Sequence, residues 1–411
     1  MERRIVITGA GLISPLGDRP EALYSALCAG RSGLRRLEQS TKNGNSCHLG
    51  GQICDFKPEV YLKGRPLRPL DRTGQLATAA AMLALENSGW NAERRASAEV
   101  GLALGTMFGG VRTIAEFDRT GLTSGPASAS PMNFANTVIN APAGQTAIWH
   151  GLRGVNTTIA AGSISGLAAI GQAADLLRLG KVDAILAGGA DEFCFESFHG
   201  FNQAGLLCHG DHGKEFPVPF DSRRNGFALG EGAAFLMLEN WESAQARGAT
   251  VIGEIDGHAN SFDSSRGRDA ELATRTIVRA VQTALLRSGL KPDAVDFVSA
   301  SANGSVLRDC YEAQALKEVF PNRIQELPIT AIKGSTGEAL GASGAFQAIA
   351  VTEILRQGML PGISDLQELP PEFPLGGIAR EKHSIQARHV LVNAIGLDGN
   401  VCSLVISAAK A

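Results

Sequence analysis

The stretch 155–170 constrains this chain more than any other. Its β-branched residues, Val155, Thr157, Thr158 and Ile159, run into the small-residue turn Ala160-Ala161-Gly162-Ser163. Leu167-Ala168-Ala169-Ile170 then carries on in a helical pattern. A strand that turns sharply into a helix leaves its turn at the helix N-terminus. Unpaired backbone N–H groups and the positive end of the helix dipole converge there. Such an elbow can activate a Cys or Ser nucleophile, which makes Ser163 a candidate. The other reading of Ser163 is the N-cap of an ordinary helix, the common use of serine at such a boundary.

The balance of the chain excludes several function classes. Across 411 residues the net charge is −3, and no Lys/Arg cluster marks a nucleic-acid face. An apolar fraction of 44% against 19% charged residues supports a large globular core. The first apolar run, Ile5-Val6-Ile7, is too short for a signal sequence, and no later apolar span reaches the roughly 18 residues a membrane helix needs. The expected location is therefore the cytoplasm, with no membrane partner. The seven cysteines (28, 47, 54, 194, 208, 310, 402) are scattered and form no CxxC pair, so neither a disulfide framework nor a metal site is expected. Cys310, beside Asp309, reads as packing.

Taken in order, the chain alternates strands with helices. Apolar runs at 4–8, 100–106, 155–159 and 182–190 read as buried strands, separated by helical patterns at 20–29, 73–88 and 167–179. Residues 31–70 read as an irregular excursion. A helical segment is expected from Val111 through Phe117, and 123–145 reads as a polar loop. Gly9-Ala10-Gly11 invites a dinucleotide-binding reading, but Pro15 breaks the helix that reading needs, so a tight strand-to-loop turn explains the glycines. Beyond a charged turn at Arg247-Gly248 the plan repeats: strands at 251–259, 295–298, 329–331, 388–393 and 401–408, helices at 271–289, 309–319 and 338–356. Alternating strands and helices with apolar strands imply an α/β protein whose sheets are covered on both faces, built from duplicated halves 1–248 and 249–411.

Six ordered motifs resemble the β-ketoacyl-acyl-carrier-protein synthases (ketosynthases) over nearly the whole length. They are Val6-Ile7-Thr8-Gly9 with Ser14-Pro15-x-Gly17, Ser163-x-Ser165-Gly166-Leu167, and Ala187-Gly188-Gly189-Ala190. The longest is Pro219-Phe220-Asp221-x-x-Arg224-x-Gly226-Phe227-x-x-Gly230-Glu231-Gly232. Lys333-x-x-Thr336-Gly337-x-x-Leu340-Gly341 and Asn393-x-x-Gly396-x-x-Gly399 complete the set. The resemblance implies a thiolase-like fold, layered α-β-α-β-α.

It also implies a site built from a cysteine at the elbow and two histidines that donate to a thioester carbonyl. All three positions are changed. Ser163 stands at the cysteine position, Ser301 at the first histidine and Glu338 at the second. Lys333, Asp309 and Glu312 remain as the family's supporting scaffold. In the late glycine-rich gate, Gly396-Leu397-Asp398-Gly399-Asn400-Val401 replaces Gly-Phe-Gly-Gly-Thr-Asn, so Leu397 stands for the phenylalanine.

By resemblance the better match is the chain-length factor, the catalytically silent partner of an active ketosynthase in type II polyketide synthases. That reading implies a heterodimer with the ketosynthase, contact with acyl carrier protein through the complex, and no cofactor. The silent subunit closes a tunnel at the interface. By position its wall residues are Val111, Ile114, Phe117 and Leu397, with Asp118 as an alternative. Ser163 then serves as a helix cap. Two other readings stay open: an acyltransferase or hydrolase using Ser163, with Glu338 as base, and a purely structural homodimer.

Overall fold

The computed structural model describes residues 3–37, 47–210 and 215–409. Ten apolar runs become strands: β1 (Ile5–Ile13), β2 (Val100–Gly105), β3 (Asn156–Ile159), β4 (Ala184–Asp191) and β5 (Gly232–Asn240) from the first part of the chain, then β6 (Gly253–Phe262), β7 (Phe297–Ser299), β8 (Ile329–Thr330), β9 (His389–Ile395) and β10 (Asn400–Ser407). They form one sheet in the order β8-β7-β9-β10-β6-β1-β5-β4-β2-β3. The two fives are laid out alike. In the first, β1 and β4 each run antiparallel to β5, while β2 runs parallel to β4 and β3. In the second, β6 and β9 run antiparallel to β10, and β7 runs parallel to β9 and β8. A short antiparallel contact, Val6 with Glu254 and Ile7 with Gly253, joins the halves at their centre. The duplication is visible in the topology itself.

Seven helices supply the layers: α1 (Arg72–Asn87), α2 (Val111–Ser124), α3 (Ala141–His150), α4 (Ser165–Arg178), α5 (Ala270–Ser288), α6 (Val306–Val319) and α7 (Ser343–Gln357). Helices α1 and α3 cover the outer face of the first half, and α5 with α6 the outer face of the second. Helices α4 and α7 pack on each other and on strands of both halves. The resulting five layers are those of the thiolase-like fold. Strands β1, β2 and β4 are buried along their whole length, as sheets covered on both faces require.

Several sequence expectations need correction. The glycines at 9 and 11 do not begin a loop, because β1 runs on to Ile13. A Cβ at Gly11 would meet the Ala84 amide nitrogen at 2.2 Å, and one at Gly9 would meet Ser88 at 2.5 Å. The glycines let α1 lie directly on the strand. Within 123–145, helix α2 continues to Ser124, the short helix Pro131–Phe134 follows, and α3 starts at Ala141. Little charge and many small residues hid its periodicity. The helix expected from 338 begins at Ser343, behind a 3-10 turn at Leu340–Ala342. Residues 31–70 include two short strands, Arg35–Arg36 and Leu49–Gly51, and the helix Pro58–Tyr61.

The middle layers meet through glycine faces. A Cβ on Gly189 would lie 2.0 Å from the Gly341 carbonyl oxygen, and one on Gly166 would lie 2.2 Å from it. Gly189→Ala therefore overpacks the contact between β4 and α7 and should cost about 3 kcal/mol. Urea unfolding of the variant, read against the parent midpoint, checks this; an unchanged midpoint would show that the strand and the turn before α7 can move apart freely.

Candidate functional site

Both central helices begin in the same way. The 3-10 turn Gly162–Ile164 leads into α4, and Leu340–Ala342 leads into α7. Gly162 takes a left-handed φ of 63°, and its counterpart Leu340 takes 53°. A leucine in that region is strained and persists only under tight packing, and Leu340 is fully buried against Phe193, Phe227 and Leu229. At the first elbow the Ser165 hydroxyl accepts from the Ala161 amide at 2.8 Å and donates to the Gly162 carbonyl at 2.6 Å. At the second, the Ser343 hydroxyl accepts from the Ala339 amide at 2.8 Å and donates to Glu338 Oε1 at 2.6 Å.

Ser163 is therefore not the helix cap it was expected to be. It lies inside the 3-10 turn, only 2% exposed, and the hydroxyl that closes the turn belongs to Ser165. The intervening 3-10 turn leaves Ile164, which has no capping side chain, at the N-cap of α4, an offset that no propensity in the sequence announces.

The other two changed positions, Ser301 and Glu338, share one buried network with Lys333. Its Nζ donates to Glu338 Oε2 at 3.0 Å and to Ser301 Oγ at 3.3 Å. Asn303 Nδ2 also donates to Glu338 Oε2, at 2.9 Å. With Ser343 on Oε1, both oxygens of Glu338 are engaged, and no hydrogen bond joins Glu338 to Ser163 among the described residues. Ser301 Oγ accepts from the Ile395 amide at 2.8 Å as well. The Lys333 and Glu338 side chains are each 1% exposed, so the ion pair is desolvated.

The scaffold residues hold the loop that carries Ser301. Asp309 accepts from the amides of Phe220, Asn303 and Gly304 at 3.0, 3.2 and 3.1 Å. Burial pushes its carboxyl up from the usual range. Glu312 Oε1 accepts from the Ser301 amide at 2.9 Å and from Asn393 Nδ2 at 3.1 Å. Its Oε2 has no hydrogen-bond partner, and burial raises its pKa to about 7. On the other side of the elbow, Asp191 ties β4 to the turn after β2 and to the second elbow. It accepts from Thr106 Oγ1 and the Met107 amide at 2.8 Å and from the Gly341 amide at 2.7 Å. Burial holds its carboxyl at about 6.

The candidate wall residues separate. Val111 lines an apolar cavity of about 420 Å³ with Phe108, Phe201, Ala204 and Leu206. Ile114 is half-buried, outside that lining, and Phe117 packs on Phe134 with ring centroids 5.9 Å apart. Leu397 packs against the cluster containing Phe201, Leu207 and Phe227. Asn303, Ser343, Asp191, Arg308 and Asp398 were missed by sequence reasoning as site residues. Only Asp398 carried a signal, by standing at a glycine of the gate motif. Among the described residues no group of His, Cys, Asp and Glu is arranged to hold a metal, and no helix is long and apolar enough to cross a membrane.

The elbow and its paired helix sit on a framework that known proteins share. Residues 2–244 match the β-ketoacyl synthase N-terminal domain and residues 252–367 the β-ketoacyl synthase C-terminal domain. The 3-oxoacyl-[acyl-carrier-protein] synthase 2 of Coxiella burnetii is 30% identical over 408 residues, 99% of each chain. That of Vibrio cholerae is 31% identical over 412 residues, covering 98% of this chain and 99% of its own. Among solved structures, the ishigamide ketosynthase/chain length factor superposes with a TM-score of 0.92 at 29% identity, covering 100% of both chains. A β-ketoacyl synthase from Burkholderia phymatum superposes at 0.91 with 28% identity, covering 99% of this chain and 100% of its own. This chain belongs to the β-ketoacyl synthase family.

Two predictions follow from the site's electrostatics. Lys333→Ala leaves Glu338 charged and buried without its cation, at an expected cost of about 3–5 kcal/mol, whereas Lys333→Met with Glu338→Gln should cost less because no lone charge remains. Chemical unfolding of both variants and of Glu338→Gln alone gives the coupling. For Glu312, a folded-state pKa of about 7 above a reference of 4.5 means the native chain holds the proton more tightly. That stabilisation is complete below about pH 4.5 and is lost as pH rises through about 7. Melting curves should therefore show the parent losing roughly 3 °C relative to Glu312→Gln between pH 5 and pH 8. Parallel pH profiles would refute the assignment.

Proposed function

We propose that this chain is a non-catalytic subunit of the chain-length-factor type. It pairs with an active ketosynthase and shapes the tunnel into which a carrier-protein-bound polyketide grows. The observation that carries the reading is the buried Lys333–Glu338–Asn303–Ser301 network, which fills the place of the two histidines. Condensation needs donors poised on a thioester oxygen, each typically worth about 10²-fold or more in rate. Here Lys333 is bonded to a carboxylate, and among the described residues Glu338 has no hydrogen bond to Ser163 with which to take its proton. A serine hydroxyl without a base is a poor nucleophile. The resemblance to the ishigamide ketosynthase/chain length factor supports the same assignment.

Surface features favour a partner subunit. Strand β3 is one edge of the sheet, with Ile148 75% exposed on α3 beside it, and Leu122 on α2 and Phe134 on the short helix after it are 87% and 61% exposed. Exposed apolar side chains next to an unpaired edge invite a second chain. In this reading Val111 and Ile114, near the start of α2, face the growing acyl chain, and Phe117 packs behind them. The halves 1–248 and 249–411 act as one body around the tunnel.

The names of the curated relatives favour the opposite reading, a synthase with changed residues, so the experiment addresses both. Purified alone, the chain should condense nothing and take no acyl group or fluorophosphonate on Ser163. Co-expressed with a ketosynthase carrying Cys and two His, it should co-purify as a complex, and Val111→Ala or Ile114→Ala should lengthen the product seen by mass spectrometry. Labelling of Ser163, lost in Ser163→Ala, would favour the synthase; failure to pair with any such ketosynthase would sink the chain-length-factor reading.

A further inference from the structure

The loop between β9 and β10 lies over the first elbow, and its one charged side chain points at it. A Cβ on Gly162 would meet the Asp398 carboxylate oxygens at 2.6 and 2.8 Å, so the carboxylate rests on the residue preceding Ser163. Any larger residue at 162 would push it away. Asn400 holds the carboxylate there, donating from Nδ2 to Oδ2 at 2.6 Å and from its amide to Oδ1 at 3.3 Å. Arg308 pins the loop from behind, with Nη2 on the Leu397 carbonyl at 2.8 Å and Nε on the Gly396 carbonyl at 3.3 Å. The Asp263 amide bonds the Gly399 carbonyl at 2.8 Å, closing the far end.

A helix N-terminus attracts negative charge. At an elbow that attraction is what lowers a nucleophile's pKa and steadies an oxyanion. We propose that Asp398 is a built-in latch on this elbow: its carboxylate takes the anion's place at the start of α4, and Asn400 and Arg308 keep it there. The latch deepens the reading of the elbow as silent, on which it rests, by naming what keeps a carrier-protein-bound acyl thioester from Ser163. The dipole is already neutralised from within, and negative charge developing on a thioester oxygen would face a fixed carboxylate.

A reporter thiol tests this without any partner. In Ser163→Cys, alkylation of the residue 163 peptide is followed by mass spectrometry with neutral iodoacetamide and with anionic iodoacetate. Asp398→Asn, which keeps the side-chain shape, should raise the iodoacetate rate relative to the iodoacetamide rate about tenfold. Taking the ratio cancels changes in access that affect both reagents. Asn400→Ala, which releases the carboxylate without removing it, should move the ratio the same way by less and serves if Asp398→Asn does not fold. An unchanged ratio in the folded variants overturns the latch. Such a failure would leave pairing with a ketosynthase intact, and a failure to pair would leave the ratio intact, so the two readings are tested separately.

Discussion

The close crossing of the two central helix starts is the constraint on which the rest of the molecule depends. The Gly341 carbonyl lies where a Cβ on Gly166 or Gly189 would have to be, and Gly105 is closed in the same way by Ser165. Asp191 spans the crossing, with one carboxylate bonding to residues after β2 and to the second elbow. These contacts have no catalytic content. They fix where the two elbows stand and how far the sheet halves can approach. An elbow held in this manner draws its geometry from backbone packing rather than from the side chain at position 163.

Charge sets the second constraint. Burying an ammonium as deeply as that of Lys333 is costly unless a counter-charge lies nearby. Glu338 supplies it, and Asn303 and Ser343 complete its hydrogen bonding. The changes at 301 and 338 thus form one coherent substitution. Serine is short enough to fold back onto the Ile395 amide, and the glutamate fills the remaining space with a charge that its neighbours can satisfy. Such a network rigidifies the cavity and engages the Lys333 ammonium and both oxygens of Glu338. Glu338 keeps Lys333 from standing in the site as an orphan cation.

Much of this was legible in the amino-acid sequence, for physical reasons that also mark where legibility ends. Strands covered on both faces read as unbroken apolar runs, so β1, β2, β4 and β5 stand out, and the motifs located Ser163, Ser301, Glu338 and the scaffold residues. What escaped depends on offsets and on contacts distant in the chain. One extra 3-10 turn took Ser163 away from the helix cap and left Ile164 there. Helix α3 lay hidden because Ala141-Pro142-Ala143-Gly144 has neither charge nor apolar rhythm. The glycines of β1 answer to α1 rather than to any local turn. Asp398 was visible as a misfit in its motif, but its meaning needs Gly162, which only folding brings beneath it.

Helix α2 is the least buried of the seven layer helices. None of its residues is fully buried, although it is 14 residues long and begins beside the apolar cavity. Its N-terminus is held by Glu192, which accepts from the Arg112 amide at 3.2 Å and which burial lifts to about 8. The Arg112 side chain donates to the Phe193 carbonyl at 2.7 Å. From there the helix runs outward to Leu122, exposed and uncovered by this chain. A helix anchored at one end, with its apolar residues half-covered, draws most of its stability from whatever packs on it. If the partner subunit supplies that cover, the position of Val111 and Ile114 is set by the interface as much as by this sequence. Tunnel length would then be a property of the pair, and exchanging partners should alter it even when no residue of α2 changes.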